Sequence, residues 1–582
     1  MKWSAYHIID LTVTILAPGM LSILVWEYGY GQAFAYEREV YALFGSLLAL
    51  ETGYSLGRHP GPLLFRRNTR IVLLISGLLV MVFSLLSLVQ VFPLQAYWLV
   101  RLLVLLLSLT LIIERLFRIE TRRMHPALIF VSSFAVLIGL GTLLLLLPQS
   151  AKVEISLVDA LFTATSAVCV TGLTVLTTGE DFTLTGQAFI LVLLQLGGLG
   201  MLTFTNVFGL FFRSFGSFRN RLMLQDMINS RTIEGTKGLL VRILVFTFVA
   251  EGIGALLIYS GLATGSAPDG NRAWFAIFHA ISAFCNAGFS TLPQSLYEET
   301  FRMQYSVHLT IAALIILGGI GFNTIIGYLQ YMGEALRYYF YRVINRADRA
   351  IPASLPLLSA NDKLVLRTTT ALLVAGTLGF YFFEGANSLS NQSSFGQWAT
   401  AFFGSVTART AGFNSFDTGS LAGPTLLLLI LLMWVGASPG STGGGIKTTT
   451  FGIALLNIWQ QVLGRNRIIL GWRSVPVSAL NRALAIIMLS LPGIGVPVFL
   501  LYHFEPGTAL MPIVFECVSA YCTVGLSMGI TEQLSEPGKL TLIATMFIGR
   551  VGFLTFLTGL ARQWAKEQHD PARYPEEDIF IN

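Results

Sequence analysis

The sequence predicts an all-α polytopic membrane protein: an N-terminal helical region, then four like units, each a long helix, a short re-entrant helix and a second long helix. Three observations predict it. Of 582 residues, 54% are hydrophobic and only 12% are charged, where soluble domains carry about 25% charged residues. Apolar runs, such as Ala188–Leu194 and Leu426–Val435, recur from end to end and leave room for many spans of ~20 residues. Finally, a short glycine-containing segment returns four times between pairs of long apolar runs.

Residues 1–122 hold four candidate spans, at 9–27, 39–57, 71–92 and 97–118. The stretch Leu11–Trp26 follows Lys2, with no small-residue cleavage site after it. It therefore reads as a first membrane helix, not a signal peptide. The units follow at 123–235, 236–362, 363–478 and 479–582. Their long spans are 125–147 and 187–212, 239–260 and 305–332, 367–384 and an interrupted 424–463, and 483–502 and 539–560. Between them lie short helices at 157–168, 273–284, 396–408 and 511–522, too short to cross a bilayer. Non-helical backbone at membrane depth is tolerated only when buried in protein or lining a water-filled cavity.

Charge tests this topology. The net charge is +6, and the basic residues gather between apolar runs, as at Arg115/Arg118/Arg122/Arg123 and Arg337/Arg342/Arg346/Arg349. This is the bias of cytoplasmic loops, not of a nucleic-acid surface. With the N-terminus inside and each long span crossing once, seven of the 37 Lys and Arg fall outside: Arg38, Arg101, Lys152, Arg272, Arg302, Arg409 and Lys539. One crossing more or fewer would break the bias. Both termini are therefore expected in the cytoplasm. An embedded enzyme is disfavoured, because the seven histidines are scattered and no His-Glu-x-x-His occurs.

The short segments align without gaps on Gly172, Gly288, Gly412 and Gly525, which are 116, 124 and 113 residues apart. Cys169, Cys285 and Cys522 each precede the glycine by three residues, where the third unit has Arg409. Such equivalent positions favour packing over disulfide pairing. A dehydrated cation needs oxygens in place of its water shell, and rings of backbone carbonyls supply them. Glycine reaches the unusual dihedrals that aim successive carbonyls at one axis. The four loops contain no carboxylate, and the short helices would aim negative dipole ends at the centre. The candidate filter is Val170, Thr171 and Gly172; Asn286, Ala287 and Gly288; Thr410, Ala411 and Gly412; Thr523, Val524 and Gly525. Because the residue before the glycine differs among loops, selectivity is expected to rest on backbone geometry.

Every residue from Gly436 to Gly445 is small or helix-breaking, so the second span of the third unit must break there. The other second spans read as continuous. A polar loop below the filter can obstruct a pore and move aside. Gly440 and Gly445 imitate a phosphate-binding loop, but Ile446 holds the required lysine position and no strand precedes it, so nucleotide binding there is rejected. Arg550 lies inside the last span, where an arginine is expensive and marks function by default. Facing the pore, it would pair with the loop's carbonyls and set an electrostatic barrier; the competing explanation is a structural carboxylate partner such as Glu251.

Thr-Ala-Arg-Thr-Ala-Gly-Phe-Asn at 407–414 and Gly-Ala-Ser-Pro-Gly-Ser-Thr-Gly-Gly-Gly-Ile-Lys-Thr-Thr-Thr at 436–450 resemble the membrane subunits of bacterial Ktr and Trk potassium uptake systems. The resemblance covers about 125–562, and the Ser-Pro-Gly-Ser-Thr-Gly-Gly-Gly form is nearer to Ktr. It implies four M1–P–M2 pseudo-repeats around one pore, with K+ at the filter. It implies an intramembrane gate loop at 436–447, here Gly436, Ser438, Gly440, Ser441, Thr442, Gly443, Gly444, Gly445 and Lys447, with Arg550 as the arginine beneath the filter. It further implies a homodimer in a bacterial inner membrane, a cytoplasmic ring of nucleotide-binding regulatory subunits acting in trans, frequent Na+ dependence and no organic cofactor. The N-terminal region is longer than these subunits usually carry. A K+ or Na+ symporter is the alternative, but secondary transporters usually show inverted repeats, and these four run in one orientation.

Overall fold

The computed structural model describes residues 5–31, 36–58, 67–88, 100–105, 107–108, 126–215, 236–262, 271–343, 359–465, 467–470 and 473–564. Three helices open the chain: α1 (Ala5–Tyr30), α2 (Glu37–Arg58) and α3 (Arg67–Leu88). They share a core of Met20, Leu24, Tyr41, Phe44, Leu48 and Val80, joined by Val100, Val104 and Leu107. Gly45 of α2 lets the backbones close up, since a Cβ there would meet the Met81 amide of α3 at 2.7 Å. Residues 100–105 and 107–108 of the fourth candidate span are helical, and the rest of it lies outside the described residues. The Gln149 amide donates to Gly29 O at 2.9 Å, tying α1 to the first unit.

The first unit comprises α4 (Pro126–Leu145), α5 (Leu157–Cys169) and α6 (Leu184–Phe215). The second comprises α7 (Thr236–Gly261), α8 (Arg272–Phe284), α9 (Tyr305–Ile320) and α10 (Phe322–Val343). The third comprises α11 (Ala360–Glu384), α12 (Ser394–Thr407), α13 (Gly423–Trp434) and α14 (Thr448–Val462). The fourth comprises α15 (Val477–Phe504), α16 (Leu510–Cys522), α17 (Glu536–Val551) and α18 (Phe553–Trp564). Two two-residue strands, β1 (Ile469–Leu470) and β2 (Arg473–Ser474), pair antiparallel between the third and fourth units. The short helices fall where expected to within two residues. Helices α11 and α15 begin just before the expected unit boundaries, α11 on a Ser359–Asp362 capping box.

Local chemistry fixes the short helices. Ser156 accepts from Asp159 N, Asn271 from Trp274 N and Ser393 from Gly396 N, each capping the first turn of α5, α8 or α12. Such caps contribute about 1 kcal/mol each. Each short helix packs on the first long helix of its own unit, those of the first, second and fourth units on the second long helix as well, and each also packs on a neighbouring unit: α5 on α17, α8 on α6, α12 on α9 and α16 on α13. These contacts run in a cycle. Lys539, in the first turn of α17, bonds Asp159 of α5 at 2.6 Å where the fourth unit meets the first.

Long apolar side chains face outward on the flanking helices; Phe382 is 81% exposed and Phe499 74%. Among the described residues, Val241–Gly261, Ala360–Glu384 and Val477–Phe504 are each long and apolar enough to cross a membrane. Two bent pairs raise that number to five. Here the structure corrects the sequence expectation: the spans 305–332 and 539–560 are not continuous. The chain bends by 100° between α9 and α10, and by 85° between α17 and α18. The bends sit at Gly321 (φ 94°) and Gly552 (φ 85°). Left-handed backbone cannot continue a right-handed helix, and glycine alone adopts it without a Cβ clash.

Candidate functional site

The short helices end at four loops that close on one another. A Cβ on Gly172 would lie 2.5 Å from Ala287 O, and one on Gly288 would lie 2.5 Å from Ala411 O. Likewise Gly412 abuts Val524 O, and Gly525 abuts Thr171 O. Each glycine thus meets the residue before the next glycine, and the fourth meets the first. All twelve residues of the candidate filter are buried.

The backbone alternates in hand along each loop. The glycines have φ of 93°, 70°, 79° and 96°. Two residues earlier, Val170 (57°), Asn286 (58°), Thr410 (69°) and Thr523 (50°) are also left-handed. For a residue with a Cβ this costs about 1–2 kcal/mol. Reversing the hand at every second residue aims successive carbonyls the same way. Sequence inspection placed these four residues in the candidate filter but not in a left-handed conformation, because they carry three different side chains.

Hydroxyls brace the loops. Ser166 Oγ accepts from Gly172 N at 3.1 Å, and Ser519 Oγ from Gly525 N at 3.0 Å. Ser282 Oγ donates to Phe289 O at 2.8 Å. In the third unit the gap-free alignment sets Val406 opposite these serines. The brace is instead Thr407, one residue later, whose Oγ1 donates to Phe413 O at 2.7 Å. Behind the fourth loop, buried Glu516 accepts from Ser527 Oγ at 2.5 Å, Met528 N at 3.1 Å and Thr531 Oγ1 at 3.0 Å. In the second unit His279 Nε2 meets Ser290 Oγ at 2.9 Å from the corresponding positions.

Beneath the ring, the break in the third unit folds as a buried loop. Val435 and Ile446 form a bridge, and between them only Pro439, Gly440 and Gly445 are not buried. Ser438 N donates to Gly319 O at 3.0 Å, and Phe322 N donates to Gly440 O at 3.1 Å. Thr442 N donates to Gly318 O, and Thr442 Oγ1 to Phe284 O, both at 3.3 Å. Ser441 Oγ turns back to Ser438 O at 2.5 Å. Gly443 lies against the Thr410 side chain and Gly444 against that of Thr523, so the loop touches the ring of loops directly. Lys447 Nζ donates to Gly443 O at 2.6 Å and closes the loop on itself. The bend at Gly321 has its cause here, because a Cβ at that residue would lie 2.6 Å from Pro439 O.

Arg550 is 1% exposed. Its guanidinium donates to Thr442 O of the loop and to Gly197 O of α6, the latter at 2.7 Å. Glu251 does not neutralise it: that carboxylate accepts from Gln195 Nε2 at 3.0 Å. The arginine is thus held by carbonyls, one of them in the loop. Cys169, Cys285 and Cys522 are buried and free, as their equivalent positions suggested, and so is Cys517. Among the described residues no cluster of three or more His, Cys, Asp or Glu forms a metal-binding group.

A family model described as TrkH, cation transport protein, matches residues 96–568. The chain belongs to this family. Within it, the Ktr system potassium uptake protein B of Vibrio alginolyticus is 36% identical, over 78% of this chain and 94% of its own length. The potassium/sodium uptake protein NtpJ of Enterococcus hirae is 36% identical, over 79% of this chain and 98% of its own. The crystal structure of the potassium transporter TrkH from Vibrio parahaemolyticus aligns with a TM-score of 0.59 at 19% identity, covering 91% of this chain and 99% of that one. That likeness is one of fold. Family and fold agree with the resemblance carried by the loops at 407–414 and 436–450, and with a transporter of the cell membrane.

Proposed function

We propose that the chain takes up potassium through a channel-like pore formed by four M1–P–M2 repeats. Val170–Gly172, Asn286–Gly288, Thr410–Gly412 and Thr523–Gly525 are the filter, and 436–447 with Arg550 is the gate. The observation that supports this most is the closed cycle of glycine loops. A ring of carbonyls from four left-handed turns replaces the hydration shell of a cation. The C-terminal ends of α5, α8, α12 and α16 lead into the four loops and bring negative dipole ends to the same centre. The ion itself is the cargo, not a resident cofactor.

The loop beneath the ring gives the pore its control. While seated, it fills the space under Thr410 and Thr523, with Arg550 of α17 held against it. Its position then opposes a passing cation. Unseating it removes that obstruction. Potassium as the ion is supported by the printed names of the Vibrio alginolyticus and Enterococcus hirae relatives. The name of the latter, potassium/sodium uptake, also supports an effect of Na+ on flux. The resemblance of the loops at 407–414 and 436–450 to Ktr and Trk subunits supports a homodimer controlled by a separate nucleotide-binding ring, and the charge bias supports cytoplasmic termini.

Growth of potassium-uptake-deficient cells at low external potassium tests the proposal. Expression of the chain, with its regulatory partner if required, restores growth. Membrane expression of both without rescue contradicts it. Potassium flux measured with and without sodium separates a passive pore from coupled symport.

A further inference from the structure

The third filter loop carries an arginine to which the pore described above gives no role. Arg409 stands three residues before Gly412, where the other loops have Cys169, Cys285 and Cys522. Cysteine there is small and packs without a charge to satisfy. An arginine at membrane depth is expensive and needs a compensating contact. Arg409 is nevertheless 7% exposed. Its Nη2 donates to Gly436 O at 3.3 Å, where the loop beneath the ring departs from α13.

Arg550 holds the same loop at Thr442 O, six residues further along. The two arginines come from different units, and Gly436 O and Thr442 O lie on opposite sides of the loop tip at Pro439–Gly440. The residue after Arg409 is Thr410, part of the left-handed ring, and its side chain packs on both Gly436 and Gly443. Arg409 therefore joins the filter backbone of the third unit to the first limb of the loop, by a contact that the cysteine-bearing loops have no group to make.

We propose that Arg409 is a second latch of the gate loop: a positioning residue that seats its first limb while Arg550 seats the other. This rests on 436–447 being the gate. Release of the loop then requires both arginine contacts to break, and the third filter loop is mechanically tied to the gate.

The test is a double-mutant cycle on the full chain in proteoliposomes, reading potassium flux and potassium-over-sodium preference. Arg409→Met raises flux roughly tenfold, as loss of a charge-assisted hydrogen bond implies, and leaves the ion preference unchanged. Arg409→Lys, which keeps a charged donor, stays near the parent. When Gly443–Gly445 are deleted, Arg409→Met adds nothing, because the latch has nothing left to hold. If Arg409→Met does not accumulate as folded protein, Arg409→Gln serves in the same cycle with the same direction of effect. Unchanged flux overturns the proposal. So does a loss of ion preference without a rise in flux, which would make Arg409 a filter brace. An equal rise in the deletion background also overturns it. If the deletion alone fails to raise flux, the gate itself has been misassigned; that arm separates the two failures.

Discussion

The ring of loops and the layer beneath it follow opposite rules. In the ring, four loops of different sequence adopt one backbone: left-handed, then not, then left-handed at glycine. Below it, the corresponding parts of the units differ. The second unit bends at Gly321, the fourth at Gly552, and the third opens into the loop from 435 to 447. Only the fourth contributes Arg550, and only the third contributes Arg409. The difference teaches where symmetry is useful. Ion coordination needs equivalent oxygens on all sides, whereas obstruction needs one element and something to hold it. The bend at Gly321 belongs to the second purpose, since it makes room for Pro439 and Gly440.

The largest effect expected from this division is on the obstructing element. Deleting Gly443–Gly445 raises potassium flux in proteoliposomes, with a ceiling of about a hundredfold for a gate closed about 99% of the time. Unaltered flux would remove the loop from the gate. Next comes its anchor: Arg550→Gln surrenders a charge-assisted bond to Thr442 O worth about 1.5–3 kcal/mol. It raises flux while sparing potassium-over-sodium preference, and an unchanged rate would count against the anchor.

A smaller pair of effects separates the two bends. Alanine at either glycine meets a strained backbone costing about 1–2 kcal/mol. At Gly321 it also intrudes on Pro439 O; at Gly552 the nearest group is Thr555 Oγ1 at 3.6 Å. Gly321→Ala therefore loosens the loop and raises flux, while Gly552→Ala lowers thermal stability without changing flux. Equal flux effects would erase the distinction. Smallest is the loss of one brace. Ser519→Ala removes the hydroxyl that accepts from Gly525 N, a change of about 1 kcal/mol. It slightly weakens ion preference at constant gating, and improved preference would contradict the bracing role.

The sequence displayed the parts whose chemistry is confined to one residue type. Glycine at four aligned positions announced the ring, the small-residue run announced the loop, and Arg550 stood out because charge is rare in a span. Hydropathy placed the short helices to within two residues. What it did not display depends on geometry rather than residue type. Val170, Asn286, Thr410 and Thr523 share a left-handed backbone conformation across three residue types. Thr407 replaces a serine one residue out of register, which a gap-free alignment hides. The bends at Gly321 and Gly552 look like ordinary helix glycines until the loop beside the first is seen. Pairing of Arg550 with carbonyls of the loop was legible, but not which atoms, Thr442 O and Gly197 O, because any backbone can supply them.

The central claim is that four equivalent backbone turns form one ion-selecting ring. It is tested most directly by replacing each ring glycine in turn with serine: Gly172→Ser, Gly288→Ser, Gly412→Ser and Gly525→Ser. Potassium-over-sodium preference of each is then measured in proteoliposomes. Each added Cβ points at a carbonyl of the adjacent loop, so all four substitutions lower the preference, whichever unit carries them. Retained selectivity in any one of the four would mean that its loop does not face the ion, and would contradict the ring.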